Sequence, residues 1–208
     1  MALCNIVGDL GYLGYAFVAE GFVSIPKLTG ACFTVLAHLF LLAYGDDQAR
    51  IVEKEKGLLS RIFLRLRAAA SSLVSFMPNA WRKKIQARPV GIPFLMLSVN
   101  GAGLFMDGIT HGRRLTGLAM WSQVTLGLFV SAGCGAFAAA DFVKQQKTAN
   151  ILTKTAPAIL FFASLANAEL ALTTGNPFII MSFVAFALSN MAGFFTHIDK
   201  EKGQHLHS

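Results

Sequence analysis

Long apolar runs separated by short polar segments make up most of the chain. A bilayer core of about 30 Å requires roughly 20 mostly apolar residues for one helical crossing, and several runs approach that length. Successive runs are joined in pairs by only a few residues, so the pattern predicts three membrane hairpins. The predicted spans lie near residues 4–22, 28–45, 90–107, 115–139, 155–173 and 177–196.

The first two predicted hairpins share a polar signature. The stretch Glu20–Gly30 contains an acid, a glycine and, after a gap, Lys-Leu-Thr-Gly; the stretch Asp107–Gly117 contains an acid, a glycine and Arg-Leu-Thr-Gly at the same spacing. Apolar matches are common between membrane segments, so the polar and glycine positions are the informative ones. They predict an internal repeat. The third hairpin keeps only Glu169 at the equivalent acidic position, which leaves a third repeat open.

The segment between the first two hairpins has a different pattern. From Leu58 to Met77 the apolar residues recur with helical spacing, while Arg61 and Arg65 lie on the opposite face. Each arginine near the middle of a bilayer costs about 2.5–3.5 kcal/mol on insertion scales. We therefore predict an amphipathic helix at the membrane surface and not a seventh span.

The distribution of basic residues predicts the orientation. Most of the 18 Lys and Arg residues lie on the side of the insert and the termini, so by the positive-inside rule this side is cytoplasmic. The predicted fold class is an all-α integral membrane protein with six transmembrane helices in three hairpins, plus a cytoplasmic amphipathic helix. Its parts are a first membrane hairpin at 1–45, a basic insert with the amphipathic helix at 46–89, a second hairpin at 90–140, a cytoplasmic loop at 141–154, a third hairpin at 155–197 and a cytoplasmic tail at 198–208.

The composition adds two points to this prediction, the low fraction of charged residues and the location of the positive charge. The chain is 54% hydrophobic and only 14% charged, whereas about a quarter of the residues in a soluble domain are charged. The net charge of +7 is concentrated between Arg50 and Arg88, and no RNA- or DNA-binding motif accompanies it, so we expect no nucleic-acid partner. We expect anionic lipids at the cytoplasmic face to bind the basic residues of the insert. These residues are Arg61, Arg65, Arg67, Arg82, Lys83, Lys84 and Arg88.

Charged side chains within membrane spans are rare and are therefore candidates for an ion or proton relay. Glu20, Asp107 and Glu169 all lie near the outer ends of odd-numbered predicted helices, where a ring of acids would form an outer vestibule. In the alternative interpretation, Glu20 and Asp107 form ion pairs with Lys27 and Arg114 that only orient the loops. Glu169 has no basic residue in its own loop, which makes it the stronger relay candidate.

Uncharged polar side chains and small residues lie deeper in the predicted spans. Hydrogen bonding between helices is the ordinary role of such polar groups and is worth about 0.6 kcal/mol on average; the alternative role is to line a polar path below the acids. Small residues, such as Gly101 and those at 131–135, are predicted to let helices approach closely. The polar-path candidates are His38, Asn100, Gln123, Asn167 and Asn190.

No catalytic motif accompanies these residues. The sequence contains no nucleophile elbow, metalloprotease signature, Walker motif or redox cysteine pair, and His38 has no second histidine at matching depth for a haem. We therefore predict no enzyme activity, no cofactor and no metal site.

Two classes of function are compatible with these features. Internal repeats commonly frame a transport site near the middle of the membrane, which favours a small-solute or ion transporter. The absence of a charge at mid-membrane favours a non-catalytic subunit or scaffold of a larger membrane complex, with protein partners in the membrane. In either case we expect a location in a bacterial inner membrane with both termini cytoplasmic.

Overall fold

The computed structural model describes the ranges 25–44, 58–111, 117–181 and 183–188, together with six single positions between residues 7 and 18. Within these residues the chain is almost entirely helical and contains no strand. The helices are α1 (Ile25–Tyr44), α2 (Leu58–Ser75), α3 (Asn79–Ala87), α4 (Gly91–His111), α5 (Gly117–Phe142), α6 (Gln146–Thr174) and α7 (Pro177–Leu188).

Three of these helices are long and apolar enough to cross a bilayer. They are Gly91–Thr110 within α4, Gly117–Phe142 and Gln146–Thr174. The predicted all-helical class is confirmed, and the three candidate spans are compatible with an integral membrane protein. Six spans are not supported. The apolar helices Leu28–Tyr44 and Pro177–Leu188 are shorter, and most of the predicted span at 4–22 and the end of the one at 177–196 lie outside the described residues.

The predicted repeat is not supported either, because equivalent positions have different surroundings. Gly30 lies directly beneath the side chain of Asn100, whereas a methyl group added to the equivalent Gly117 would meet no described atom within 4 Å. Gln123 is buried, but the equivalent position in the first hairpin is the exposed Leu36. The two stretches are thus similar in sequence, but their equivalent residues pack differently.

The long helices pack side by side in a fixed order. Among the described elements, α4 packs against both α1 and α5, and α5 packs against α6. The α5–α6 contact is built from small and aliphatic side chains, including Ala119, Leu126, Ala163 and Leu170, and Ile179 of α7 completes it. The result is a row of helices in the order α1, α4, α5, α6.

Glycines bring α4 and α5 into backbone contact, as predicted for the small residues of these spans. A methyl group on Gly127 would lie 2.8 Å from the carbonyl oxygen of Gly101 and 2.8 Å from the Cα atom of Phe105. Ser98 donates a hydrogen bond of 2.9 Å to the carbonyl oxygen of Ser131 across the same contact. We call this contact the α4–α5 seam.

The connection between α6 and α7 is the tight turn expected from the sequence. Gly175 has a φ of 58°, which favours glycine, and its N–H donates to the carbonyl oxygen of Ala171 over 3.0 Å. The side chain of Asn176 then accepts a hydrogen bond from the N–H of Phe178 over 2.9 Å and begins α7. The ring of Phe178 in α7 also lies against Gly14.

The predicted amphipathic helix is present as α2, and α3 follows it after a short turn. Ala70 and Val74 of α2 and Ile85 of α3 are buried against Phe40 and Ala43 near the end of α1. Neither α2 nor α3 is among the helices long and apolar enough to span a membrane. The basic insert therefore packs on one end of the helix row.

Candidate functional site

The most unusual group in the α4–α5 seam is a buried carboxylate. Asp107 lies in the candidate span Gly91–Thr110 and is only 2% exposed. Gln123, in the second turn of α5, is 1% exposed and donates a hydrogen bond from Nε2 to Oδ2 of Asp107 over 2.8 Å. The structure thus joins one acid of the predicted relay to one residue of the predicted polar path.

The local sequence explains why these two side chains meet. Gly108, next to Asp107, lies so close to α5 that an added methyl group would come within 2.7 Å of a methyl group of Val124. This close approach brings the short Asp107 side chain within reach of Gln123. Both side chains are almost fully buried, so their hydrogen bond is stronger than one at a surface.

A second buried amide lies on the other side of α5. Asn167 of α6 is 1% exposed, and within the described part of the chain neither its Nδ2 nor its Oδ1 has a hydrogen-bond partner. The same holds there for Oε1 of Gln123. Because buried polar atoms are nearly always paired, three such atoms in one region require an explanation.

Gln123 and Asn167 lie at nearly the same distance from the connection between α5 and α6. They are 21 and 23 residues from Lys144, which lies in the short connection between α5 and α6. Ala119 and Leu126, one turn to either side of Gln123, belong to the same apolar cluster as Ala166 and Leu170 around Asn167. The unpaired donor and acceptors therefore lie around one contact between α5 and α6.

Further polar groups lie closer to the end of the helix row on which α2 packs. Asn100 is seven residues before Asp107 and so shares its face of α4, where its side chain covers Gly30 of α1. Thr34 and His38, one and two turns further along α1, are each 1% exposed. Polar side chains thus continue along α1 and α4 for several turns, from Asp107 toward the end where α2 packs.

The other predicted relay acid occupies a different surface. Glu169 is exposed, and it is two residues from Asn167, so the two side chains leave α6 on opposite sides. The structure therefore brings Asp107, Gln123 and Asn167 to the inside of the row and leaves Glu169 on the outside. Glu20, Arg114 and Asn190 lie outside the described residues, as does the side chain of Lys27.

The predicted lipid-binding residues also separate into groups. Arg61, Arg65, Lys83 and Lys84 are exposed, whereas Arg67 and Arg82 are half-buried and Arg82 donates a hydrogen bond to Asn79. Arg88 instead contacts α5.

Sequence reasoning missed the partner of Arg88. Asp141, near the end of α5, accepts a hydrogen bond from the N–H of Gly91 over 3.0 Å, and its carbonyl oxygen accepts one from Arg88. The guanidinium of Arg88 also lies 5.2 Å from the centre of the Phe142 ring. An acid that ends a long apolar run on the basic side of the protein is the signal that would have indicated this contact.

A buried carboxylate beside an amide offers groups that can take up a proton or bind a cation. In the described residues, no three His, Cys, Asp or Glu side chains are close enough together to hold a metal ion. Comparison with protein-family models, curated proteins and solved structures finds no match to this chain. The fold and the site therefore define a class, an all-helical protein with three candidate membrane spans and a carboxylate buried between two of them.

Proposed function

We propose that this membrane protein moves a small solute or ion, most directly a proton or a small cation, through the seam that holds Asp107. The observation that supports the proposal is a carboxylate, 2% exposed, inside a candidate span. A charge in such a place is costly unless a proton, a cation or hydrogen-bond donors compensate it. Ionisable groups that persist there mark ion pathways and proton relays.

The two neighbouring amides suit a site whose charge changes. An amide side chain donates through its nitrogen and accepts through its oxygen. Gln123 already donates to Asp107, and its Oε1 would accept a hydrogen bond from a protonated Asp107 or coordinate a bound cation. Asn167 supplies a further donor and acceptor at the same level. Gln123 can thus stabilise Asp107 in both states of the cycle.

The polar groups between Asp107 and the end of the row where α2 packs support a route along the helices. Asn100 packs against Gly30 of α1, and His38 is buried two turns further along α1, toward the end of the helix row where α2 packs. In α6, Pro157 lies within the helix and cannot donate a backbone hydrogen bond, so the ladder is weakened at one point of a candidate span. Such a point is where a helix bends most easily during a transport cycle.

A second candidate function is a non-catalytic subunit or scaffold of a larger membrane complex. The glycine contacts of the α4–α5 seam favour it, because they fix Asp107 and Gln123 relative to each other. In this function the buried pair joins two helices and changes no charge. Large apolar side chains on the outside of α4, α5 and α6 would then contact partner subunits as well as lipid.

Proton flux in proteoliposomes separates the two functions. Vesicles would contain an entrapped pH-sensitive dye and the full chain, with a pH gradient alone or with a Na⁺ or K⁺ gradient. Asp107→Asn removes the buried charge and keeps the shape, so the transport proposal expects flux to be lost or shifted in pH while expression stays normal. Glu169→Gln is the matched exposed variant.

Each outcome has a distinct meaning. Loss in Asp107→Asn alone supports the buried pair as the site. Loss in both variants supports the ring of acids predicted from the sequence. Wild-type flux that neither substitution changes would exclude both acids, and a wild-type chain without flux that copurifies with a membrane partner would support the subunit function.

The proposal includes the orientation, with both termini cytoplasmic in a bacterial inner membrane. Thr110 and Lys84 are exposed and lie at opposite ends of the row. In a background without native cysteines, Thr110→Cys should react with an impermeant thiol reagent from outside, and Lys84→Cys only after the cells are opened. Reaction of both from the same side would contradict this topology.

A further inference from the structure

The described side chains of α2 divide into three faces around the helix. On the first, Ala70 and Val74 are 2% and 3% exposed and, with the partly buried Phe63, pack against α1. We call this the packed face. The packed face is not the face of α2 that carries most of its large apolar side chains. Part of the apolar surface of α2 therefore stays outside the protein core.

That remaining surface forms a continuous apolar stripe. Leu58, Ile62, Leu73 and Phe76 are 74%, 43%, 56% and 85% exposed. At 3.6 residues per turn the first three positions lie within about 60° of one another, next to the packed face, and Phe76 directly follows the end of α2. A stripe of large exposed apolar side chains marks a surface that contacts a protein or a membrane.

Basic side chains border the apolar stripe. Arg61 and Arg65 are exposed on the side away from the packed face, and Lys83 and Lys84 of α3 are exposed near the 57% exposed Trp81. An apolar stripe edged by arginine and lysine, with a tryptophan at the border, is typical of a helix that lies in the lipid headgroup layer. The charge of this border is complementary to anionic lipid.

The contacts show how α2 lies on the protein. Along α2 and its end, the residues of the cluster run from Phe63 to Met77, a length of about 21 Å at 1.5 Å per residue. On α1 the same cluster covers only 39–44, about 8 Å, and on α4 only Ile92 and Met96 in its first turns. A helix alongside α1 would contact it over a similar length. We conclude that α2 lies across the end of α1 and the start of α4.

We propose that α2 and α3 bind the surface of an anionic bilayer, with the apolar stripe among the acyl chains and Arg61, Arg65, Lys83 and Lys84 on lipid phosphates. The bilayer is the occupant because α4, a candidate span, begins at Gly91, immediately after α3. The membrane surface therefore passes through the level at which α2 lies. Arg88 takes no part, since it contacts Asp141.

Depth measurements in the full chain test the placement of the apolar stripe. The chain contains two tryptophans, so Trp81→Phe with Trp121→Phe gives a background free of tryptophan fluorescence. Leu73→Trp and Ser72→Trp then place one probe on the stripe and one on the basic border, at neighbouring exposed positions. In proteoliposomes with lipids brominated in the acyl chains, the probe at 73 should be quenched strongly and the probe at 72 weakly. Equal quenching at both positions would overturn the proposal, as would a probe at 73 that no lipid quenches because a protein covers it.

The preference for anionic lipid is tested with Trp81 as the single probe, in a Trp121→Phe background. Brominated phosphatidylglycerol should quench Trp81 more than the same mole fraction of brominated phosphatidylcholine, and the excess should fall with salt. Lys83→Gln with Lys84→Gln should remove at least half of the excess, while the matched pair Lys144→Gln with Lys147→Gln, also exposed, should leave it unchanged. Equal quenching by the two lipids, or an equal loss in both double variants, would overturn the electrostatic part.

Discussion

The α4–α5 seam and the packed face of α2 hold helices together in different ways. The seam uses glycines and the buried Asp107–Gln123 hydrogen bond, whereas the packed face uses aliphatic and aromatic side chains such as Val74 and Phe63. Inside a bilayer, apolar side chains gain little by leaving lipid, so helices associate through close packing and hydrogen bonds. At the membrane surface, removing apolar area from water still stabilises. The difference is the one expected for a seam inside a bilayer and a packed face at its surface.

The largest effect should come from adding one methyl group to the seam. Gly127→Ala would place Cβ 2.8 Å from the carbonyl oxygen of Gly101, a backbone atom that cannot rotate away. We expect a loss of at least about 3 kcal/mol in the free energy of unfolding, the upper end of the usual cost of overpacking.

Gly117→Ala is the matched control, since its added methyl group meets no described atom within 4 Å. We expect it to be neutral or stabilising, because alanine has the higher helix propensity. Unfolding titrations in mixed micelles measure both variants. A Gly127→Ala protein as stable as the wild type would show that the two backbones are not in contact.

The next effect is the coupling between Asp107 and Gln123. Hydrogen bonds to charged groups are worth about 1.5–3 kcal/mol, whereas neutral pairs in membrane helices average about 0.6 kcal/mol. A double-mutant cycle with Asp107→Leu and Gln123→Leu should give a coupling energy of at least about 1.5 kcal/mol if Asp107 is ionised. A value near the neutral average would show that Asp107 is protonated in the resting protein.

Some of this structure follows from the sequence, and the reasons are local. Helices α4 and α5 begin and end close to the predicted spans, and α2 matches the predicted amphipathic helix, because long apolar runs and helical periodicity depend only on neighbouring residues. Helix α6 is longer than predicted, since side-chain hydrogen bonds, such as that from Gln146 to Asn150, extend it into polar sequence.

The candidate site could be predicted only in part. The sequence indicates Asp107, Gln123 and Asn167 as candidates because polar groups are rare in spans. Their grouping depends on how the helices rotate against each other. Helix α5 is apolar on all sides, so its periodicity does not reveal which face meets α4. The glycine contacts of the seam decide that rotation, and a list of small residues does not specify which two meet.

A comparison of two neighbouring positions on α2 separates the packed face from the lipid-facing stripe. Val74→Ala removes two buried methyl groups, and at about 0.8 kcal/mol for each it should cost about 1.5 kcal/mol. Leu73→Ala, at a 56% exposed position, should change the stability in detergent by less than about 0.5 kcal/mol. Unfolding titrations of both variants test this. The reverse order would mean that α2 is rotated by about one residue from the arrangement described.

Substitution of Asn167 should increase the free energy of unfolding, whereas Gly127→Ala and Val74→Ala should decrease it. Its amide is buried, with both polar atoms unpaired in the described part of the chain, so Asn167→Leu removes unsatisfied groups and keeps much of the volume. Replacing such a group by an apolar one of similar shape is neutral or stabilising, and we expect a gain of about 1 kcal/mol. The same variant should lose proton flux if Asn167 serves the transport site. A clear loss of stability would mean instead that its amide has a partner in the folded protein.

The smallest effect concerns Arg88, at the junction of the two regions. Its ion pair with Asp141 has an N–O distance of 4.0 Å, and the two side chains are 45% and 30% exposed. Pairs of this kind are worth about 0–1 kcal/mol, so Arg88→Gln should lower the free energy of unfolding by only about 0.5 kcal/mol, and less at high salt. Because Arg88 contacts α5, the variant should keep the excess quenching of Trp81 by phosphatidylglycerol. A loss as large as that of the Lys83 and Lys84 double variant would show that Arg88 binds lipid, as the sequence alone predicted, and that the contact with Asp141 does not hold it away from the membrane.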